Sequence, residues 1–131
     1  MAMLFISYKR GDSAVDPIVA KLKEAKYRIW FDQESIVTST PWREAINAGI
    51  TQCSAVILLV NPDACHSIYV KEEVELAKSK SKPIFHVLTR MTSKDDLALL
   101  GIESLQFVDT TRPGAWETSI ARLYKDIKAQ G

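Results

Sequence analysis

Charge of either sign is not in excess in this sequence. Its 131 residues carry 17 Lys and Arg against 16 Asp and Glu, a formal net charge of +1. Counterion-driven binding to a nucleic acid or an anionic membrane needs a concentrated basic patch, so the balance argues against a dedicated surface for either. It leaves room for a nucleotide as a small ligand. Cysteine is scarce: Cys53 and Cys65 are the two present. Beside three tryptophans and 47% hydrophobic residues they do not make a disulfide scaffold, and the expected setting is the reducing cytoplasm. No apolar run approaches the length that spans a bilayer, and MAMLFISYKRGD has no charged leader before its short apolar run. Neither a membrane anchor nor a signal peptide is expected.

Several chemical signatures are missing as well. There is no GxGxxG and no GxxxxGK followed by Ser or Thr, so neither a Rossmann nor a P-loop site is supported. His66 and His86 lie far apart, and the adjacent pair Cys65-His66 is a poor chelate, so no metal is expected. Ser7 lacks the flanking glycines of a hydrolase nucleophile elbow. LFISYKR also lacks the acidic pair that a phosphoacceptor receiver carries after its first strand. No internal repeat, low-complexity segment or linker is found.

What is present is an alternation of short apolar runs with helical patterns. Met3–Ser7 (MLFIS), Tyr27–Phe31 (YRIWF), Ala55–Val60 (AVILLV) and Pro83–Leu88 (PIFHVL) suit strands buried on both faces of a parallel sheet, with Leu105–Val108 (LQFV) a weaker fifth. Between them, Ile18, Leu22 and Ala25 mark one helix, which starts either with Asp16 and Pro17 as its cap and first-turn pair or nearer Asp12. Trp42, Ile46 and Ile50 follow Pro41; Val70, Val74 and Ala77 give a third stripe; TSKDDLALLG holds a short helix; Trp116, Ile120, Leu123 and Ile127 mark the last. Right-handed crossovers turn this order into one α/β domain over residues 1–131, a flavodoxin-like open five-stranded parallel sheet of order 2-1-3-4-5 with helices on both faces. Such a unit is expected to be excised from, or part of, a longer multidomain protein.

In open sheets ligands bind beyond the carboxyl ends of the strands, near the switch point between the first and third. The segments there are SYKRGDS, DQESIVTSTPW and NPDACHSIYVKEE, and together they offer cations, hydroxyls, aromatics and carboxylates for an anionic, aromatic ligand. The last of them opens a helix with Glu72, Glu73 and Glu75. With Val70, Val74 and Ala77 turned to the core, Glu73 stacks four residues after Tyr69, while Glu72 and Glu75 flank that face and are more solvated. On phase alone Glu73 is either a poised carboxylate on a pocket rim or an ordinary helix glutamate near Lys71 or Lys80.

FISYKRGDS, then IWFDQESI with a Trp six residues after its Ile, then INAGITQCSAVILLVNPDACHSIYVKEEVELA resemble a TIR (Toll/interleukin-1 receptor) domain, and specifically the bacterial, NAD⁺-cleaving branch. The resemblance covers the first two-thirds of the chain. It implies cleavage of the nicotinamide–ribose bond of NAD⁺, with NAD⁺ as substrate and no cofactor. The family's catalytic glutamate lies four residues beyond an aromatic on the helix after the third strand; here that aromatic is Tyr69 and the glutamate is Glu73. Tyr8, Lys9 and Arg10 resemble the cluster after the first strand, whose cations meet the diphosphate; Asp32 ends the second strand as in the family. Ser67, just before the aromatic, either lines the site or caps the helix. The resemblance also implies self-association, head to tail, through the loop carrying Ile36 and Val37. Ser39 departs from the family, which has glycine three residues before the Trp, and this puts the loop's rearrangement in question. Two other functions compete: a non-catalytic TIR interaction module, and a nucleoside deoxyribosyltransferase-like enzyme, against which SYKRGD and the Trp motif argue.

Overall fold

The computed structural model describes residues 3–9, 11–30, 42–105, 107–112 and 114–129. Among the described residues five strands are present, β1 (Met3–Ser7), β2 (Arg28–Trp30), β3 (Ala55–Val60), β4 (Ile84–Leu88) and β5 (Val108–Asp109). All pair in parallel, in the order β2-β1-β3-β4-β5. The helices among the described residues are α1 (Val15–Glu24), α2 (Trp42–Gln52), α3 (Pro62–Cys65), α4 (Ile68–Ser79), α5 (Lys94–Leu99) and α6 (Trp116–Ala129).

Strand alternation sorts the core into two layers. Leu4 and Ile6 of β1, Ala55, Ile57 and Leu59 of β3, and Val87 of β4 meet Ile18 and Leu22 of α1 and Leu123 and Ile127 of α6. The opposite residues face the other helices. Phe5 and Val56 pack on Ile46 and Ile50 of α2 and on Ala77 of α4. Leu58 and Val60 pack on Val70 and Val74 of α4, on Ala64 and Cys65 of α3, and on Leu97 of α5. Each side chain fully buried in these layers contributes about 1.5–3 kcal/mol relative to leaving it in water. Trp30 stacks on Phe5, ring centroids 4.8 Å apart, directly over Gly49.

Local chemistry decides where the helices start. Asn61 caps α3: its Oδ1 accepts the Ala64 N–H at 2.8 Å, and Pro62 takes the first helical position, where no N–H is needed. Ser67 caps α4 by accepting the Val70 N–H, and Ser93 caps α5 by accepting the Asp96 N–H. At α1 the start nearer Asp12 is the one found. Asp16 lies inside the first turn, and the side chain that takes a backbone N–H there is Asp12, which accepts from Ala14 at 2.8 Å. β5 is also shorter and later than LQFV, because the Leu105 N–H donates to Ile102 O in a turn and Leu105 stays exposed. At the other end of the sheet Lys82 Nζ donates to the Thr51 and Cys53 carbonyls, closing the carboxyl end of α2 with a positive charge. Among the described residues no helix is long and apolar enough to cross a membrane.

Candidate functional site

The two-residue period of β1 turns Phe5 and Ser7 toward α4. Ser7 is the last residue of the strand and is fully buried. It puts a hydroxyl where the apolar alternation would otherwise place another hydrophobe. From α4 the matching group is Glu73. Ser7 Oγ donates to Glu73 Oε1 at 2.7 Å, and Glu73 is only 7% exposed.

The three glutamates are thus separated by depth as well as by phase. Glu72 forms a bidentate pair with Arg43 of α2, at 3.0 and 3.2 Å, and Glu75 is exposed. The expectation that Glu73 sits on a rim is corrected, because the inward hydroxyl of Ser7 draws it into the interface. Tyr69, one turn nearer the helix start, is 57% exposed. Since α4 returns antiparallel to the strands, that turn lies nearer the carboxyl edge of the sheet, about 5–6 Å above Glu73. The aromatic stands at the surface and the carboxylate one turn below it. Ser67 is nearly buried and serves as the helix cap.

Beyond Ser7 the chain divides. Tyr8 points into the opposite layer and is buried with Val15, Val19 and their neighbours. Lys9 is exposed. Asp12 and Asn61 tie this segment to the rest of the edge: Asn61 Nδ2 donates to Asp12 Oδ2 at 2.6 Å and to Thr89 Oγ1 at 3.4 Å, while Thr89 Oγ donates to Val60 O. Asn61 is 1% exposed and joins the segments that follow β1, β3 and β4. Sequence reasoning passed over Ser7 as a partner and over Asn61 altogether. The signals were a polar residue at an inward strand position, and Asn-Pro at a helix start. Arg10, Asp32, Ile36, Val37 and Ser39 lie outside the described residues.

The neighbouring thiol and imidazole have other roles. Burial, and then the charge of Asp96, push the Cys65 thiol up to about 11, so it remains protonated at neutral pH. His66 Nε2 lies 2.8 Å from Asp96 Oδ1, bridging the end of α3 to α5.

A sequence model of the TIR-domain family matches residues 4–124. The chain belongs to the TIR-domain family. Solved structures agree in fold with this TIR domain. The TIR domain of the Toll-related receptor TRR-2 from Hydra magnipapillata superposes with a TM-score of 0.83 at 16% identity, over 98% of this chain and 99% of that one. The TIR domains of the activated Roq1 resistosome, which recognises the pathogen effector XopQ, give 0.78 at 13% identity, over 97% and 99%. A prokaryotic SEFIR domain gives 0.64 at 14% identity, over 99% and 98%. A search of curated protein sequences found no match to this TIR domain. At these identities the structural likeness concerns the fold, so the reading of the site rests on this TIR domain's own residues.

Proposed function

We propose that this TIR domain is an NAD⁺ nucleosidase, cleaving the nicotinamide–ribose bond to give nicotinamide plus ADP-ribose or a cyclic ADP-ribose isomer. The observation that carries the reading is the Glu73 carboxylate, buried one turn below an exposed aromatic and held by the Ser7 hydroxyl at the carboxyl end of β1. A glycosidase usually needs a second carboxyl to protonate its leaving group. Nicotinamide departs from NAD⁺ as a neutral base, so one carboxylate suffices. It orients the ribose hydroxyls and stabilises the positive charge developing on the ribose, and a site shielded from water strengthens that effect. The Ser7 hydrogen bond supports this role by fixing the carboxylate before substrate arrives. Water capture yields ADP-ribose; attack by the substrate's own adenine or ribose yields the cyclic isomer, a route that Tyr69 favours by stacking on a base.

In this reading the domain works in bacterial immune signalling and gains activity by self-association, with the loop of Ile36 and Val37 docking on the next copy. Such a heterologous contact propagates into a filament instead of closing as a dimer. The exposed Ile68, 66% accessible beside Tyr69, favours a second reading, a non-catalytic protein-interaction module. The experiment that separates the two is incubation of concentrated protein with NAD⁺ and chromatography of the products. Nicotinamide released in proportion to enzyme supports the nucleosidase; intact NAD⁺ across the whole concentration range supports the interaction module.

A further inference from the structure

The approach to Glu73 has two sides. One is the segment that leaves β1 after Ser7, whose hydroxyl holds the carboxylate. The other is the corner where α3 passes into α4, with Tyr69 in the first turn of α4. We propose that Asn61 is a positioning residue for substrate binding: its single carboxamide fixes both sides at once, so the approach keeps one shape before NAD⁺ arrives. The inference rests on the proposed cleavage of NAD⁺.

The two ends of the carboxamide serve different segments. Oδ1 accepts the Ala64 N–H at 2.8 Å, and the Ala64 carbonyl accepts the Ser67 N–H at 3.1 Å. Ser67 in turn caps α4 by accepting the Val70 N–H. A continuous run of bonds thus leads from Asn61 to the turn that carries Tyr69. Nδ2 donates the other way, to Asp12 Oδ2 at 2.6 Å. Asp12 organises its own segment: its N–H donates to Lys9 O at 3.1 Å, its carbonyl accepts the Val15 N–H at 3.3 Å, and its Oδ1 accepts the Ala14 N–H at 2.8 Å. Those bonds are all local. Among the described residues, the bond from Asn61 is the one hydrogen bond that ties Asp12 to another segment. The segment needs the tie, because Gly11, at φ +89°, has no side chain to restrict its backbone. Asn61 is 1% exposed, so water does not replace a lost partner there. Without the tie, only a fraction of molecules hold the competent shape, and apparent affinity falls by that fraction. The Ser7–Glu73 bond is untouched, so the effect falls on KM and spares kcat. Loss of stability alone would do the reverse, lowering the active fraction and leaving KM in place.

The test is a reciprocal exchange. Asn61→Asp keeps the size and the acceptor for Ala64, but sets a second carboxylate against Asp12 where the donor stood. Asp12→Asn leaves one carbonyl oxygen to serve either Ala14 or Asn61. The double variant restores the bond with donor and acceptor exchanged. Each single variant should raise KM for NAD⁺ about tenfold with kcat within about twofold, and the double variant should return KM to within about threefold of wild type. Asp63→Asn removes an exposed carboxylate of the same α3 turn from outside the network and should keep the wild-type KM. Asp12→Asn, at a half-buried position, decides the matter if Asn61→Asp does not fold. A fall in kcat at unchanged KM, a double variant no better than the worse single one, or an equal effect of Asp63→Asn overturns the proposal. The same proteins are titrated with NAD⁺ by calorimetry. If wild type releases no nicotinamide but Kd follows this pattern, the proposed cleavage fails and the positioning role stands; cleavage by wild type without the pattern leaves the cleavage and overturns the role. Wild type that neither binds nor cleaves NAD⁺ overturns both.

Discussion

Ser7→Ala removes one hydroxyl from a fully buried position, and its consequence follows from one bond. The hydroxyl donates to a buried carboxylate at 2.7 Å. Hydrogen bonds to charged groups contribute about 1.5–3 kcal/mol, and the loss is felt in full when water cannot replace the donor. For a domain of this size 1 kcal/mol moves Tm by roughly 3–5 °C, so Ser7→Ala should melt about 5–15 °C below wild type. Glu73→Ala strips the acceptor and leaves the Ser7 hydroxyl buried, costing about 2–3 kcal/mol. That exceeds what a rim position implies. Glu73→Gln keeps both shape and an acceptor oxygen and should cost about 1 kcal/mol, which makes it the cleaner probe of chemistry. Because Glu73 has further interactions, the decisive quantity is the coupling in a double-mutant cycle of Ser7→Ala with Glu73→Ala, measured by urea unfolding at unchanged m-value. A coupling of about 1.5–3 kcal/mol is expected; one below about 0.5 kcal/mol would refute the view that this bond holds the carboxylate in place.

The His86 imidazole is held down to about 4, by burial first and by the Lys78 charge second. Its contribution to stability is therefore complete above pH about 6.5 and is lost as pH falls through about 4, on the order of 1–2 kcal/mol for this half-buried ring; His86→Phe should flatten that part of the acid limb in urea unfolding between pH 7 and 4. Gly49→Ala should cost about 1–3 kcal/mol in thermal melts, because the new Cβ would stand 2.8 Å from the Trp30 ring and 3.1 Å from Phe5, with no slack in the stack. Lys26 holds φ +73° just past α1, so Lys26→Gly should raise stability by about 0.5–1 kcal/mol, seen as a higher Tm.

The buried strands were the most legible elements. Met3–Ser7 and Ala55–Val60 occur with the boundaries that their continuous apolar runs imply, since a strand covered on both faces leaves no polar residue to blur its ends. The topology followed from strand–helix alternation and crossover handedness. The edges were less legible. β2 covers only Arg28–Trp30 of the described part of YRIWF, and β5 starts at Val108, because edge strands depend on turns whose hydrogen bonds no periodicity records. At the site, helical phase gave the direction of Glu73 around its axis but not its depth. Depth is fixed by what the facing strand offers, and a Ser at the last inward position of MLFIS is a long-range partner, 66 residues away. Asn61 escaped notice for a similar reason. Its cap was readable in Asn-Pro-Asp, whereas its bonds to Asp12 and Thr89 exist only once β1, β3 and β4 lie side by side.

The central claim is that Glu73, and neither of its neighbours, performs NAD⁺ cleavage. Wild type, Glu73→Gln and Glu72→Gln, each shown folded by circular dichroism, are incubated at high protein concentration with NAD⁺, and nicotinamide is quantified by chromatography. Nicotinamide, with ADP-ribose or its cyclic isomer, should be released by wild type and by Glu72→Gln, and none above background by Glu73→Gln. Wild-type turnover by Glu73→Gln, or intact NAD⁺ with wild type at every concentration, would contradict it.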